Sequence, residues 1–299
     1  MNYIIAVSGG VDSVVLLDQL MKKKIPQYED DSFIVAHFDH GVREDSPQDA
    51  VFVRQLAERY AVAFELGSAR LGAKVSEAVA RKARYEFLSA VQKKHEADAI
   101  ITAHHQDDLI ETAIINIIRG TGWRGLTSLD STPSIKRPLL NTSKNELLAY
   151  AKKHKLVWRE DSTNTDERYL RNHIRRTLIP SAGEKDGQFK ATFLKNIADA
   201  KIHKEQINKE VGVFLANSAQ ITKNQINLQR YELIMVPSTV AREVVHQILR
   251  QLDMHWHPTR RHIQRALHFI KTAQPGATLH ISKQLHIVMR KEVVQFKKV

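Results

Sequence analysis

The chain has no cysteine among its 299 residues, which excludes disulfides, thiolate metal centres and cysteine nucleophiles. It also lacks any apolar run long enough to cross a bilayer, and its first residues enter a strand at once. Neither a membrane span nor a signal peptide is therefore expected, and the cytoplasm is the expected compartment. The length allows two domains and a sizeable core. The second half is short of acid. Residues 1–150 carry 18 Lys and Arg against 20 Asp and Glu, a balance of −2, whereas residues 151–299 carry 27 against 13, a balance of +14 within the chain's net +12. Such a field suits a polyanionic partner gripped by the C-terminal part, or a basic surface with no specific ligand.

Residues 4–17 read IIAVSGGVDSVVLL. The short β-branched run predicts a strand from Tyr3 to Val7. Val14, Val15, Leu16, Leu17 and Leu20 suit the buried face of a helix. Between them, Ser8, Gly9, Gly10, Val11, Asp12 and Ser13 form a strand–glycine turn–helix junction. Glycines let the backbone approach a ligand, and the first-turn N–H groups can point at an anion. A carboxylate beside phosphate needs a cation between them, so Asp12 suggests Mg²⁺. The alternative is a tight turn with Asp12 or Ser13 as helix cap. Neither the GxxxxGK[ST] nor the GxGxxG pattern fits.

Further strands are expected at 32–39, 61–66 and 98–103, each followed by a helix: 46–60, 76–95 and 107–118. This alternation predicts a parallel sheet covered on both faces, with ligands at the carboxyl ends of its strands. SGGVDS, FDHGVR and HHQDD all fall at such ends. Helices are also expected at 144–154, 187–216, 238–252 and 259–271, with a short β-meander near 278–297. The expected organisation is α/β: a catalytic domain over 1–185, a connecting helix over 186–216, and a smaller, mainly helical basic domain over 217–299.

In HHQDDLIE, Asp107, Asp108 and Glu111 lie three and four apart, so their carboxylates share a helix face beside His104 and His105. We read a Mg²⁺-assisting and substrate-holding cluster; an acid-rich helix start satisfying the dipole is the alternative. FDHGVR places Asp39, His40 and Arg43 at a strand end. In ERYLRNHIRR, Arg168, Arg171 and Arg175 fall on one helical face, suited to phosphate or to solvation beside Glu160, Asp161, Asp166 and Glu167. Arg260, Arg261, Arg265 and Lys271 form a second ridge with few acids nearby. His255-Trp256-His257 reads as a hydrophobic staple before Pro258 rather than a metal pair.

SGGVDS resembles the PP-loop of the N-type ATP pyrophosphatases. Within that group FDHGVR, AHHQDDLIET, RGTGWRGL, RPLL and REDSTNTDERYLRNHIRR, in this order, resemble the tRNA(Ile)-lysidine synthetase family. The likeness runs through about residue 180 and continues less distinctly; Leu109 stands where the family carries glutamine, and the chain resembles the shorter members. The resemblance implies an adenine-nucleotide α-hydrolase-like (PP-loop) fold and ATP and Mg²⁺ as cofactors. It implies a ligase that joins lysine to C2 of the first anticodon cytidine of isoleucine tRNA (CAU anticodon). Its implied partners are that tRNA and L-lysine, with no membrane, and it allows a homodimer.

For this chain the resemblance implies Asp12, Asp39, Asp108, Glu111 and Arg175 as catalytic residues, with Asp12 and Asp108 at the metal. Ser8, Gly9, Gly10, Val11, Asp12, Ser13, His40 and His104 would hold ATP; Asp130, Arg171, Arg260, Arg261 and Arg265 would hold substrate. Sulfur-transferring relatives would need cysteine. Ammonia-using NAD or GMP synthetases, and a non-catalytic nucleotide-sensing or RNA-binding protein, are the competing readings.

Overall fold

A computed structural model describes residues 1–41, 46–69, 72, 75–121, 123–159, 170–254 and 256–298. It divides into two compact units, Met1–Leu194 and Lys195–Val299. Arg43, Glu160, Asp161, Asp166, Glu167, Arg168 and His255, named above, lie outside the described residues.

In the first unit, β1 (Asn2–Ala6), β2 (Ser32–Asp39), β3 (Ala63–Ser68), β4 (Ala99–Ile101) and β5 (Ile135–Lys136) form one sheet in the order β3-β2-β1-β4-β5. Every pairing in it is parallel. Both faces of the strands are apolar, as a parallel sheet covered by helices requires. Tyr3, Ile5 and Val7 face α1 (Val11–Met21), α2 (Ser46–Arg59) and α6 (Lys144–Lys153), through Leu16, Leu17, Val53 and Leu147. Ile4 and Ala36 face the other way, onto Leu88 and Val91 of α3 (Glu77–Lys94). Asp18, fully buried on α1, accepts the hydroxyls of Tyr60 (2.5 Å) and Tyr150 (2.8 Å), tying three segments with one charge.

α4 (Gln106–Ile118) and the short α5 (Trp123–Leu126) follow β4. Ile110 and Ile114 of α4 pack on Ile174 and Ile179. These two come from a helical run in which α7 (Leu170–His173) passes through a π turn (Ile174–Leu178) into α8 (Ile179–Lys185). Gly67 of β3 lies under α3: a Cβ there would sit 2.4 Å from the Phe87 ring. Phe87 leans on Phe38 (5.5 Å between centroids), and Phe38 meets His40 edge-on at 4.9 Å.

The chain continues through α9 (Phe189–Ser218) into β6 (Ala219–Ile221), β7 (Gln225–Gln229), α10 (Arg230–Met235), α11 (Ser238–Leu252), α12 (Arg260–Thr272), β8 (Thr278–His280), β9 (Leu285–Met289) and β10 (Val293–Lys298). The strands form an antiparallel sheet in the order β6-β7-β10-β9-β8. One face, with Ile226, Ile287, Val294 and Phe296, buries against Val244, Ile248, Ile263 and Ile270 of α11 and α12. The architecture is thus the expected α/β one, a parallel-sheet domain followed by a smaller helical unit with terminal antiparallel strands. The expected meander is the later part of a five-stranded sheet, because β7 pairs onto β10 and β6 pairs onto β7. Among the described residues no helix is long and apolar enough to cross a membrane.

Candidate active site

The strand order reverses at β1, so the connections after β1 and β4 leave in opposite directions and a crevice opens at their carboxyl ends. A cleft of about 520 Å³ lies there. Ser8, Gly10, Asp12, Ser13, Asp39, His40, His104, Asp108 and Arg171, all singled out from sequence, line it together.

The glycine turn is built from the backbone outward. Gly9 has φ +92°, a conformation that L side chains rarely adopt. Ser13 Oγ donates to the Gly10 carbonyl at 2.8 Å and accepts the Ser8 N–H at 3.2 Å, so this hydroxyl knits the turn. Gly10 caps α1 without a side-chain hydrogen bond, which leaves the first-turn N–H groups for an anion. Val11 instead buries its side chain in the core.

The acids of HHQDDLIE divide their roles. His105 caps α4: its Nδ1 accepts the Asp107 N–H at 3.2 Å, while Asp108 accepts the His105 N–H at 3.1 Å. The Nε2–H of His105 then faces both Asp12 (3.6 Å) and Asp108 (3.4 Å), so the two carboxylates converge on one imidazole. Asp107 turns away, accepting Lys144 N–H at 2.8 Å and Lys190 Nζ at 2.7 Å. Asp12 also accepts Lys144 Nζ at 2.6 Å. Burial opposes its ionisation, but His105 and Lys144 prevail and hold the Asp12 carboxyl below its ordinary value.

For His105, burial opposes protonation and the Asp12 and Asp108 carboxylates outweigh it, raising the pKa above 6.5. A raised folded pKa contributes stability that is full below 6.5 and lost as pH climbs through the folded value. Without added metal, NMR titration of His105 is expected to give a midpoint above 6.5 that falls in Asp12→Ala.

Glu111, 1% exposed, lies beneath this level. Arg175 clasps it with Nε on Oε1 (2.5 Å) and Nη2 on Oε2 (2.8 Å), and reaches Asp108 at 3.4 Å. Arg171 approaches the same carboxylate at 3.5 Å and donates to Thr112 Oγ1 at 3.0 Å. Burial pushes Glu111 upward against the pull of Arg175 and Arg171. Two members of the arginine ridge, Arg171 and Arg175, read from sequence as suited to phosphate or to solvation, thus engage an acid from α4.

The opposite wall is basic. His104, 2.8 Å from Thr102 Oγ1, is driven to a pKa of about 2 by burial and by Arg137, Arg84, Arg81 and Arg171, so it is neutral at physiological pH. Arg81, Arg84 and Tyr85 of α3 line the cleft. These three, with Lys144 and Arg137, were not singled out from sequence. The spacing i, i+3, i+4 in ARKARY was the available signal, since it puts two guanidiniums and a phenol on one helix face. Asp39 turns its loop by accepting the Gly41 N–H at 2.8 Å. Asp130 stands one layer back, its carbonyl accepting from Arg137 Nη1. Arg260, Arg261 and Arg265 are exposed on α12 of the second unit.

Among the described residues no group of three or more His, Asp or Glu could hold a metal ion. Mg²⁺ needs no such cage, since one or two carboxylates with substrate phosphates suffice. Asp12 and Asp108, converging on His105 beside the glycine turn, fit that pattern.

The family model described as the PP-loop domain matches residues 1–182. A curated tRNA(Ile)-lysidine synthase of Nostoc sp. (strain PCC 7120) is 33% identical over 269 residues, covering 83% of this chain and 78% of the relative. One from Bacillus cereus (strain ATCC 10987) is 29% identical over 98% of this chain; the chain spans 64% of that relative's length. Among solved structures, the U34-tRNA thiolase NcsA from Methanococcus maripaludis superposes with a TM-score of 0.55 at 15% identity, covering 67% of this chain and 72% of that one. That likeness concerns the fold alone.

Proposed function

The chain belongs to the PP-loop domain family and, within it, to the tRNA(Ile)-lysidine synthases, and from this we propose that it converts cytidine to lysidine in tRNA. The substrate is the first anticodon cytidine of an isoleucine tRNA with a CAU anticodon, and L-lysine and ATP are consumed. The observation that carries the reading is the convergence of Asp12 and Asp108 on His105 at the mouth of the glycine turn.

The reaction divides into two displacements. The C2 oxygen of the cytidine attacks the α-phosphate of ATP, and pyrophosphate leaves. The lysine ε-amine then attacks C2, loses a proton, and expels AMP. The first-turn N–H groups of α1 cradle the pyrophosphate, and the arginine wall of α3 faces the anion on its other side. Asp12 and Asp108 would hold Mg²⁺, which supplies charge neutralisation for the departing phosphates. Glu111 has both oxygens committed to Arg175. Asp108 meets Arg175 only at 3.4 Å through Oδ1, and in this reading that oxygen would steady the amine and take its proton while Oδ2 stays on the His105 and metal side. Neutral His104, with His40, lines the nucleotide side. Arg260, Arg261 and Arg265 contact the tRNA backbone.

Mass analysis of tRNA nucleosides after incubation with ATP, Mg²⁺ and lysine tests the proposal directly; absence of a lysine-bearing cytidine sinks it. Asp108→Asn is expected to lower turnover on the order of 10²-fold or more, the scale of losing a positioned proton acceptor. Its tRNA affinity should stay as in the parent, whereas a large loss of affinity would place this acid at the RNA interface.

A further inference from the structure

Residues 195–299 carry 17 Lys and Arg against 7 Asp and Glu, and the sheet register sorts these charges by position. β10 is the central strand. Its last residues pair with the first residues of β7 (Lys297 with Gln225) and of β9 (Lys298 with Leu285). The β6–β7 turn, the β8–β9 turn and the end of β10 therefore lie together at one end of the sheet. Lys298 N–H donates to the Asn224 carbonyl at 2.9 Å, which closes this end. Lys223, Lys283, Lys297 and Lys298 meet there from three separate segments. Lys223, Lys283 and Lys298 are exposed and Lys297 is half-buried.

The unit's acids lie elsewhere, on α9, α10 and α11, at Asp253 beyond α11, and at Glu292 in the β9–β10 turn, which is the opposite end. On the solvent face the row beside the lysines runs Gln225, Lys297, His286, His280, since partners in register share a face. His280 Nδ1 and His286 Nε2 are 2.7 Å apart with the rings edge-on.

Lysines that guard a sheet against aggregation sit on edge strands; Lys297 and Lys298 sit on the central one. Four lysines from three segments gathered at this end, with none of the unit's Asp or Glu in the turns that carry them, concentrate positive charge there in the free protein. A polyanion neutralises it. We propose that this end of the sheet is a phosphate-backbone contact for RNA, separate from the arginine ridge of α12. Lys271, the last basic residue of that ridge, has its carbonyl bonded by Arg230 at the far end of β7. The inference rests on the tRNA reading for the identity of the RNA, and on charge and register for the place.

The test is tRNA affinity across a salt series for the full chain and for the quadruple variant Lys223→Gln, Lys283→Gln, Lys297→Gln, Lys298→Gln. Each lost phosphate contact flattens the slope of log K against log salt by about 0.9, so a fall of up to about 3.6 is expected. The four Lys→Arg replacements, which keep charge, should restore it and exclude misfolding as the cause. An unchanged slope in the Gln variant overturns the proposal. So does poly-glutamate binding with the same dependence on these lysines, which would make the partner an acidic protein. Lysidine formation by the parent chain is scored separately: its absence would sink the tRNA reading while the salt slopes still decide the contact.

Discussion

Asp12→Ala should abolish lysidine formation, with a loss on the order of 10³-fold in turnover, the upper scale for removing one preorganised electrostatic group. The fold should survive. Asp12 lies at the start of α1, 29% exposed, and its bond to Lys144 joins two partly solvated groups, worth about 1 kcal/mol or less. The variant should therefore melt near the parent while failing in ATP–pyrophosphate exchange. Asp12→Asn keeps the shape and removes the charge; it should fail in the same way, because the N–H cradle already supplies hydrogen-bond donors and only an anion can face a cation. Parent-like exchange by Asp12→Asn at millimolar Mg²⁺ would remove the cation from the reading.

Arg175→Met should lose both stability and turnover. Glu111 would be left 1% exposed with Arg171 as its nearest remaining cation, at 3.5 Å. Breaking a buried pair costs about 3–5 kcal/mol; Arg175 is 40% exposed and Arg171 partly compensates, so the lower figure, about 3 kcal/mol, is expected. Denaturant midpoints at constant slope measure it. The double variant Glu111→Met, Arg175→Met should regain most of the stability, since both charges leave together, yet stay inactive because Asp108 has lost its neighbour. If the double variant is no more stable than the single one, the pair is not the unit described.

The alternation of apolar runs with polar clusters was enough to place four strands and the helices between them, because both faces of a parallel sheet must be buried. The third strand shows where pattern reading slipped. Expected at 61–66, it forms at 63–68, because Ala61 and Val62 are spent closing α2: Ala61 takes φ +52° and Val62 N–H returns to the Ala57 carbonyl. A glycine would have signalled that cap; alanine does not. β6 and β7 escaped because strands of three and five residues yield little periodicity, and β10, which joins β7 to the rest of the sheet, lies about seventy residues on.

In the cleft, residues carried by short motifs could be read because glycine, acid and histidine at strand ends have few other uses. The arginines of α3 could not be placed the same way. A basic residue on an amphipathic helix is most often solvated, and only the packing of α3 against the sheet turns Arg81 and Arg84 toward His104. Lys144 was invisible for a different reason: its partner Asp12 is 132 positions away.

Gly67, with no side chain of its own, sets the seat of Phe87, and Phe87 hangs from the same helix as Arg81, Arg84 and Tyr85. A lineage that acquired a methyl group at position 67 would have to displace the Phe87 ring, which strains its seat on α3 beside the basic wall and loosens Phe38 next to His40. Interior and chemistry would then drift together. Selectivity for the nucleotide would change through a position that touches no substrate, while the substrate-facing residues kept their identities.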